Sequence, residues 1–501
     1  MPFMHNIPFF SIMLPILCGI ICLSVGSAAA RRMALAVFAA ECALSAALLV
    51  YVTGTQESFT YMMGHFPAPF GNEMRAGALE ALMALAFSAV MLLSAIGGLE
   101  DLRSDIDAKK HNFFYLMTCF QLAAMLAIVY SNDLFTAYVF IEIITLSACS
   151  IIVIKEGGKP LIAAMSYLIM SLIGSALLLL SIALLYTLTG QLLMPDLNAG
   201  IQGLMQTGDY FVPLFVLMGL MIVGLGIKCA MFPFHSWLPN AHAHATTAAS
   251  SILSGLIVKC YLLLLVKIFM RVFSLDVITQ LRAGFVLIAF GTLGLIIGSV
   301  IAVRQRDVKQ MLSYSTVAQV GYICIAIGLG NKAGLTAACF HIIVHAAAKS
   351  MLFTSAGGLA RASGHKKDFI SLVGAARRDP ASGAAFICGA LSMIGIPLFS
   401  GFISKLYTST SSFGTPFEGT VMLALVVIST VLNTMYYAPV VVCILAKRPG
   451  GGNSVSEKTT INKKTAAYTI SIFAFIAINL TLGVFSQPVF KIIDLGISVF
   501  G

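Results

Sequence analysis

The chain has 501 residues, 59% of them hydrophobic and only 10% Asp, Glu, Lys or Arg, against about 25% charged in soluble domains. Such a composition describes a polytopic membrane protein and leaves little over for a soluble domain. The net charge of +10 does not point to nucleic acid: the basic residues are scattered through short connections and form no basic, aromatic-interleaved face. Eleven cysteines lie mostly inside apolar runs, with no CxxC and no Cys/His cluster at ligand spacing, so they read as packing residues and no metal site is expected.

The first apolar run ends in small residues (27–30) like a secretory signal, yet no Lys or Arg precedes it, while Arg31 and Arg32 follow it. That polarity fits a first membrane helix with its N-terminus outside. Apolar segments then recur to the end of the chain, near 8–28, 33–53, 77–98, 112–130, 134–154, 160–188, 211–232, 246–270, 279–303, 308–329, 334–358, 382–409, 419–444 and 466–490. The expectation is an all-α polytopic membrane protein of about fourteen transmembrane helices. Its longest connections are 54–76, which reads as a hairpin cap, 189–210, 359–381 and 445–465.

The basic residues test the topology. Of thirty Lys and Arg, twenty fall on the inner side if the N-terminus is outside, and six on the outer side: Arg75, Lys267, Arg271, Arg282, Lys332 and Lys491. This bias places both termini outside. The four left over, Lys228, Lys259, Lys349 and Lys405, lie within spans, where an ammonium costs several kcal/mol and marks an ion pathway more often than an accident.

Glu142 sits mid-span in YVFIEIITLSACSII with no basic neighbour in sequence, so its partner must come from another helix; Lys228 is the obvious candidate. Paired, each holds the other charged; separated, the ammonium can give up its proton. A static pair that fixes helix packing is the plainer alternative. Pro233 follows Lys228 by five residues and Pro239 comes soon after, so the helix should break there, freeing carbonyls and admitting water. The plainer alternative is a helix that ends at Pro233, with Lys228 snorkelling to the interface. Lys259 closes a small, partly polar face with Ser251 and Gly255, and apolar residues 261–266 continue past it. His341, His345 and Lys349 are spaced i, i+4, i+8 on one helix face, a pattern suited to proton relay. Lys405 ends a second interrupted stretch, GIPLFSGFISK, where Pro397 and Gly401 are the expected break.

Three stretches carry a family signature: SNDLFTAYVFIEIITLSA (131–148), the PFHSWLPNAH and SSILSGLIVK segments after Lys228 and up to Lys259, and RDVKQMLSYSTVAQVGY (306–322). HIIVHAAAKSMLF and GIPLFSGFISK add to it. Over these the chain resembles the antiporter-like, proton-conducting membrane subunits of respiratory complex I, Mrp-type cation/proton antiporters and membrane-bound energy-converting hydrogenases. The resemblance implies two inverted five-helix repeats with helices 7 and 12 broken. It divides the chain into N-terminal helices 1–3 with the outer hairpin (1–111), a first repeat of helices 4–8 (112–273), a second of helices 9–13 (274–444), and an inner loop with helix 14 (445–501). It also implies roles: Glu142–Lys228 as a switching pair, Lys259 as central relay, His341 and His345 as connectors, with Lys349 on their stripe, and Lys405, glutamate in some members, as terminal site. Asn240 replaces a frequent aspartate, 246–251 lacks a frequent proline, and His244 is additional, all in the connection between helices 7 and 8.

The expected function is therefore a proton- (or Na+/H+-) translocating subunit of a multi-subunit complex in a prokaryotic cytoplasmic membrane. The alternative is a non-conducting scaffold for a redox partner. With no dinucleotide fingerprint, P-loop or nucleophile triad, no catalytic, cofactor-binding or metal residue is expected in this chain. Expected partners are other membrane subunits of the complex, a peripheral redox module of hydrogenase, ferredoxin, NADH or quinone type, and the lipid bilayer.

Overall fold

The computed structural model describes residues 2–66, 71–412, 416–447 and 466–498. Helices α1 (Ile7–Cys22) and α2 (Ser27–Thr55) lead into an antiparallel ribbon of β1 (Phe59–Met62) and β2 (Glu73–Ala76), with Phe59 opposite Ala76. Then come α3 (Ala78–Gly97), α4 (His111–Tyr130), α5 (Leu134–Val153), α6 (Gly158–Thr189), α7 (Phe211–Lys228) and α8 (Thr247–Gln280). They are followed by α9 (Ala283–Arg304), α10 (Val308–Gly328), α11 (Lys332–Arg361), α12 (Pro380–Ile394), α13 (Pro416–Leu445) and α14 (Ala466–Val484). Twelve helices among the described residues are long and apolar enough to cross a bilayer; α1 and α12 are shorter apolar helices. The chain is an all-α polytopic membrane protein.

Burial sorts these helices. The apolar windows of α8 and α11 are wholly buried inside the chain, and that of α10 nearly so, whereas α2, α6, α9, α13 and α14 turn most of theirs outward. The sorting follows from solvation: in hydrocarbon an ionisable side chain must face the protein interior, so the helices richest in such groups occupy the centre. Small residues set how closely helices approach it. A Cβ on Gly174 would stand 2.8 Å from the Gly224 carbonyl, and one on Gly224 equally close to that of Gly174. Only paired glycines let α6 and α7 pack at this distance.

Several segments depart from the sequence expectation. The expected hairpin is present as the β1–β2 ribbon, with its tip, 67–70, outside the described residues. The connection 189–210 holds an amphipathic helix, Met194–Thr207, that turns Met194, Leu197 and Ile201 inward. Its apolar residues are too few and too widely spaced to register as a span. The final apolar stretch divides into α14 and a separate helix, Ser486–Ser498, packed on α3 and α11. Most of 445–465, with Arg448, Lys458, Lys463 and Lys464, lies outside the described residues.

Lys267 and Arg271, expected at an outer edge, are buried. Lys267 Nζ donates to the carbonyls of Ile128, Val129 and Ser131 at 2.9, 2.8 and 2.6 Å. The last carbonyls of α4 have no intrahelical donor, and an ammonium both satisfies them and complements the helix dipole. Arg271 is ion-paired with Glu80. Lys309, expected at an inner edge, is also buried and donates to the Ala245 carbonyl at 3.2 Å. Each of these cations is held by a helix end or a carboxylate distant in sequence, which a count of loop charges does not register.

Candidate functional site

The site starts on α5. Glu142 and Thr145 are three residues apart and share a face. Lys228, the last residue of α7, reaches both: its Nζ lies 2.7 Å from Thr145 Oγ1 and 3.4 Å from Glu142 Oε1. The Lys228 side chain is completely buried, so it does not snorkel, while Glu142 remains 26% exposed on the outside of the chain. Ser175 of α6 donates a further hydrogen bond to the same Glu142 oxygen.

α7 stops at Lys228, ahead of Pro233, and the helix resumes as Trp237–His244. Between them Ala230 adopts φ 56°. The freed backbone is satisfied locally: Trp237 Nε1 donates to the Ile227 carbonyl at 3.0 Å and the Met231 amide to that of Gly226 at 2.8 Å. Pro233 lies in the break, and Pro239 in the first turn of the resumed helix, where an amide would have no intrahelical acceptor. The interruption is thus a fixed feature of the fold.

From Lys228 a group of hydroxyls leads toward α8. Tyr167 of α6 and Tyr261 of α8 are buried and gather around Thr145. Two residues before Tyr261 is Lys259, fully buried, whose Nζ donates to the Ser254 carbonyl. That carbonyl lies in a π-helical turn, Leu253–Ile257, where the widened ladder leaves backbone oxygens accessible. The Ser254 hydroxyl is 2.9 Å from that of Thr316 on α10.

Lys259 is within electrostatic range of His341, His345 and Lys349, all fully buried on α11. The His341 and His345 rings stack at 5.6 Å between centroids. His341 Nδ1 is 2.7 Å from Ser404 Oγ, whereas His341 Nε2 and both His345 nitrogens have no partner among the described residues. Lys349 diverges from this line: its Nζ meets the Leu312 carbonyl at 2.9 Å, Ser315 Oγ at 2.8 Å and Tyr437 Oη at 3.3 Å.

The far end is the second interruption. α12 ends at Ile394, Gly395 has φ 93°, Pro397 lies in the break, and the helix resumes as Ser400–Thr410. Gly401 allows the close return: its amide donates to Ser392 Oγ at 3.2 Å, and a Cβ there would run into the Ser392 carbonyl. Lys405, buried, donates from Nζ to the Ile394 carbonyl at 2.9 Å, the last of α12. Among the described residues no three His, Cys, Asp or Glu side chains converge as metal ligands would.

Residues 131–433, which contain all seven ionisable site residues, match the family described as NADH:quinone oxidoreductase/Mrp antiporter, TM. The chain belongs to this family. It is 34% identical over 447 residues to NADH-quinone oxidoreductase subunit N of Desulforudis audaxviator, covering 85% of each chain. It is 25% identical over 494 residues to a subunit of the Na(+)/H(+) antiporter of Alkalihalophilus pseudofirmus, covering 97% of this chain and 96% of that one. Two solved structures share the fold, each with a TM-score of 0.85. The archaeal membrane-bound sulfane sulfur reductase complex is 24% identical over 98% of this chain and 97% of that chain. The Mrp complex of Dietzia sp. is 21% identical over 99% and 97%.

The structure brings together Glu142 with Lys228, and Lys259 with the α11 histidines; Lys405 joins through Ser404, its neighbour in sequence, which holds His341. Sequence reasoning passed over the hydroxyls of Thr145, Ser175, Thr316, Ser315, Ser404 and Tyr437. Thr145 was within reach, since it shares the Glu142 face at i+3, and so was Ser404, which precedes Lys405; Ser175, Ser315, Thr316 and Tyr437 come from helices other than those of the residues they meet.

Proposed function

We propose that this chain translocates protons across the prokaryotic cytoplasmic membrane, as one subunit of a multi-subunit complex. The reading rests on one observation above all: fully buried ionisable groups run from one helix interruption to the other, and hydroxyls or carbonyls freed by irregular helix turns stand between them. Irregular backbone at membrane depth is characteristic of ion paths. In the proposed sequence, parting Glu142 from Lys228 releases the lysine's proton toward Lys259. His345 and His341 carry it on to Lys405, with Lys349 a side branch that Ser315 and Tyr437 hold.

Glu142 favours a subunit over a stand-alone carrier. A mid-span carboxylate exposed on the outside of the chain is poorly placed against lipid and well placed against a neighbouring membrane subunit. A redox module or further antiporter subunits complete the complex on this reading. The relatives include both an oxidoreductase subunit and a Na(+)/H(+) antiporter subunit. On this reading the chain has fourteen spans in two inverted repeats (112–273 and 274–444) with flanking units 1–111 and 445–501, as the resemblance implies, and both termini outside, on the bias of its basic residues. Twelve long apolar helices plus α1 and α12 are compatible with that count.

Lys228→Ala tests the proposal. The complex should assemble, as judged by its subunit composition, and vesicles reconstituted with it should show no ion translocation; wild-type rates would exclude Lys228 from the path. Mass spectrometry of co-purifying subunits separates the partners: iron–sulfur or nickel–iron proteins mean a redox-driven pump, and their absence an Mrp-type antiporter.

A further inference from the structure

Helices α1–α4 contain a buried ionisable group that takes no part in the row described above. Glu41 sits on the inward stripe of α2, amid Ala34, Phe38, Ser45, Leu48 and Val52 at three- and four-residue spacing. It is fully buried, and neither carboxyl oxygen closes a hydrogen bond among the described residues. Ser11 of α1 stands beside its carboxyl, and Ser11 and Ser45 beside the hydroxyl of Tyr130, the last residue of α4. All three are buried, and their hydroxyls are likewise unpartnered.

An ionised carboxylate in such an interior needs a countercharge or several donors. Among the described residues the helices packed most extensively against α2 are α1, α3 and α4, none of which contains a Lys or Arg, and Lys267 of α8 is taken up by the carbonyls of Ile128, Val129 and Ser131 on either side of Tyr130. Arg31 and Arg32 of α2 itself lie about 14 Å away along the helix at its usual rise. Glu80 of α3, within electrostatic range of Tyr130, is already paired with Arg271, while Cys18, Cys22 and Cys119 group with one another. A metal cation enclosed by protein takes about six oxygen ligands, more than one carboxyl and three hydroxyls readily supply. A proton needs only one.

We propose that Glu41, with Ser11, Ser45 and Tyr130, forms a second protonatable site, a neutral carboxylic acid at neutral pH that exchanges its proton by way of the Tyr130 hydroxyl. This does not depend on the relay through Lys259, because the site shares no residue with it. The test is infrared difference spectroscopy on the intact complex, wild type minus Glu41→Gln, at neutral pH. A protonated-carboxyl carbonyl band that shifts in deuterium oxide is expected, and Tyr130→Phe should keep that band while slowing its deuterium shift several-fold. Should the Gln variant not accumulate, Glu41→Asp keeps the carboxyl and displaces the band instead. Ionised carboxylate bands in its place, loss of the band on adding sodium, or exchange as fast in Tyr130→Phe as in wild type would overturn the proposal.

Discussion

At the α7 interruption the lysine precedes the break and meets a carboxylate; at the α12 interruption it follows the break and meets a carbonyl. Lys228 ends its own half-helix and shares Glu142 and Thr145 with α5. Lys405 reaches back from the resumed half-helix to Ile394, the C-terminal residue of the first half. In both cases the ammonium sits at the C-terminal end of a helix, where the helix dipole leaves a partial negative charge. The difference lies in what can be changed. A carboxylate partner can be withdrawn by a movement of α5, whereas a backbone carbonyl one break away moves with the lysine itself. On this comparison Lys228 is suited to switching and Lys405 to holding.

The largest contrast should come from reversing the charge at each. Lys228→Glu would set a second carboxylate beside Glu142, where both cannot ionise, and ion translocation in reconstituted vesicles should vanish. Lys405→Glu, protonated, can still donate to Ile394, and should keep translocation within about tenfold of wild type, ~1.4 kcal/mol of barrier. Equal losses would break the comparison. Gly395→Ala comes next: its left-handed backbone costs a side chain about 1–3 kcal/mol, and the new Cβ would stand 3.1 Å from Lys405 Cδ. A lower thermal midpoint of the complex, with translocation reduced in proportion, is expected. A final pair of substitutions separates the two hydroxyls, and the smallest effect of all is expected at the second. Thr145→Val removes a 2.7 Å bond to the Lys228 ammonium, worth about 1.5–3 kcal/mol for a charged group. Thr430→Val removes a contact to Lys405 of 3.5 Å, at the limit of hydrogen bonding, and should leave rates near wild type.

The breaks and the membrane class were legible because their causes are local. Apolar run length identifies spans, and Pro233 and Pro397 fall in the two breaks, whereas Gly401, expected to be part of the second, lies in the first turn of the resumed helix Ser400–Thr410. The lysines stood out for the same reason, each an expensive group inside an apolar run. The π-helical turn at Leu253–Ile257 was not legible: its residues have no helix-breaking signature, and the elements it packs against, α11 and α3, are distant in sequence. Nor was the burial of Lys267, Arg271 and Lys309, whose acceptors lie at least 64 residues away. Glu41 and Glu80 lie in apolar runs as plainly as Lys228 does. A tally of basic residues passes carboxylates by, although the desolvation argument applies to both signs.

Lys259 is the central member of the proposed row, fully buried and hydrogen-bonded only to Ser254 among the described residues. Replacing it with methionine removes the titratable group and keeps the side chain's length and apolar bulk. The most direct measurement is therefore proton movement into vesicles containing the intact complex with Lys259→Met. A relay through the buried row predicts that this movement is lost while the subunit composition stays that of wild type. Proton movement at the wild-type rate would contradict it and leave the chain as a membrane scaffold.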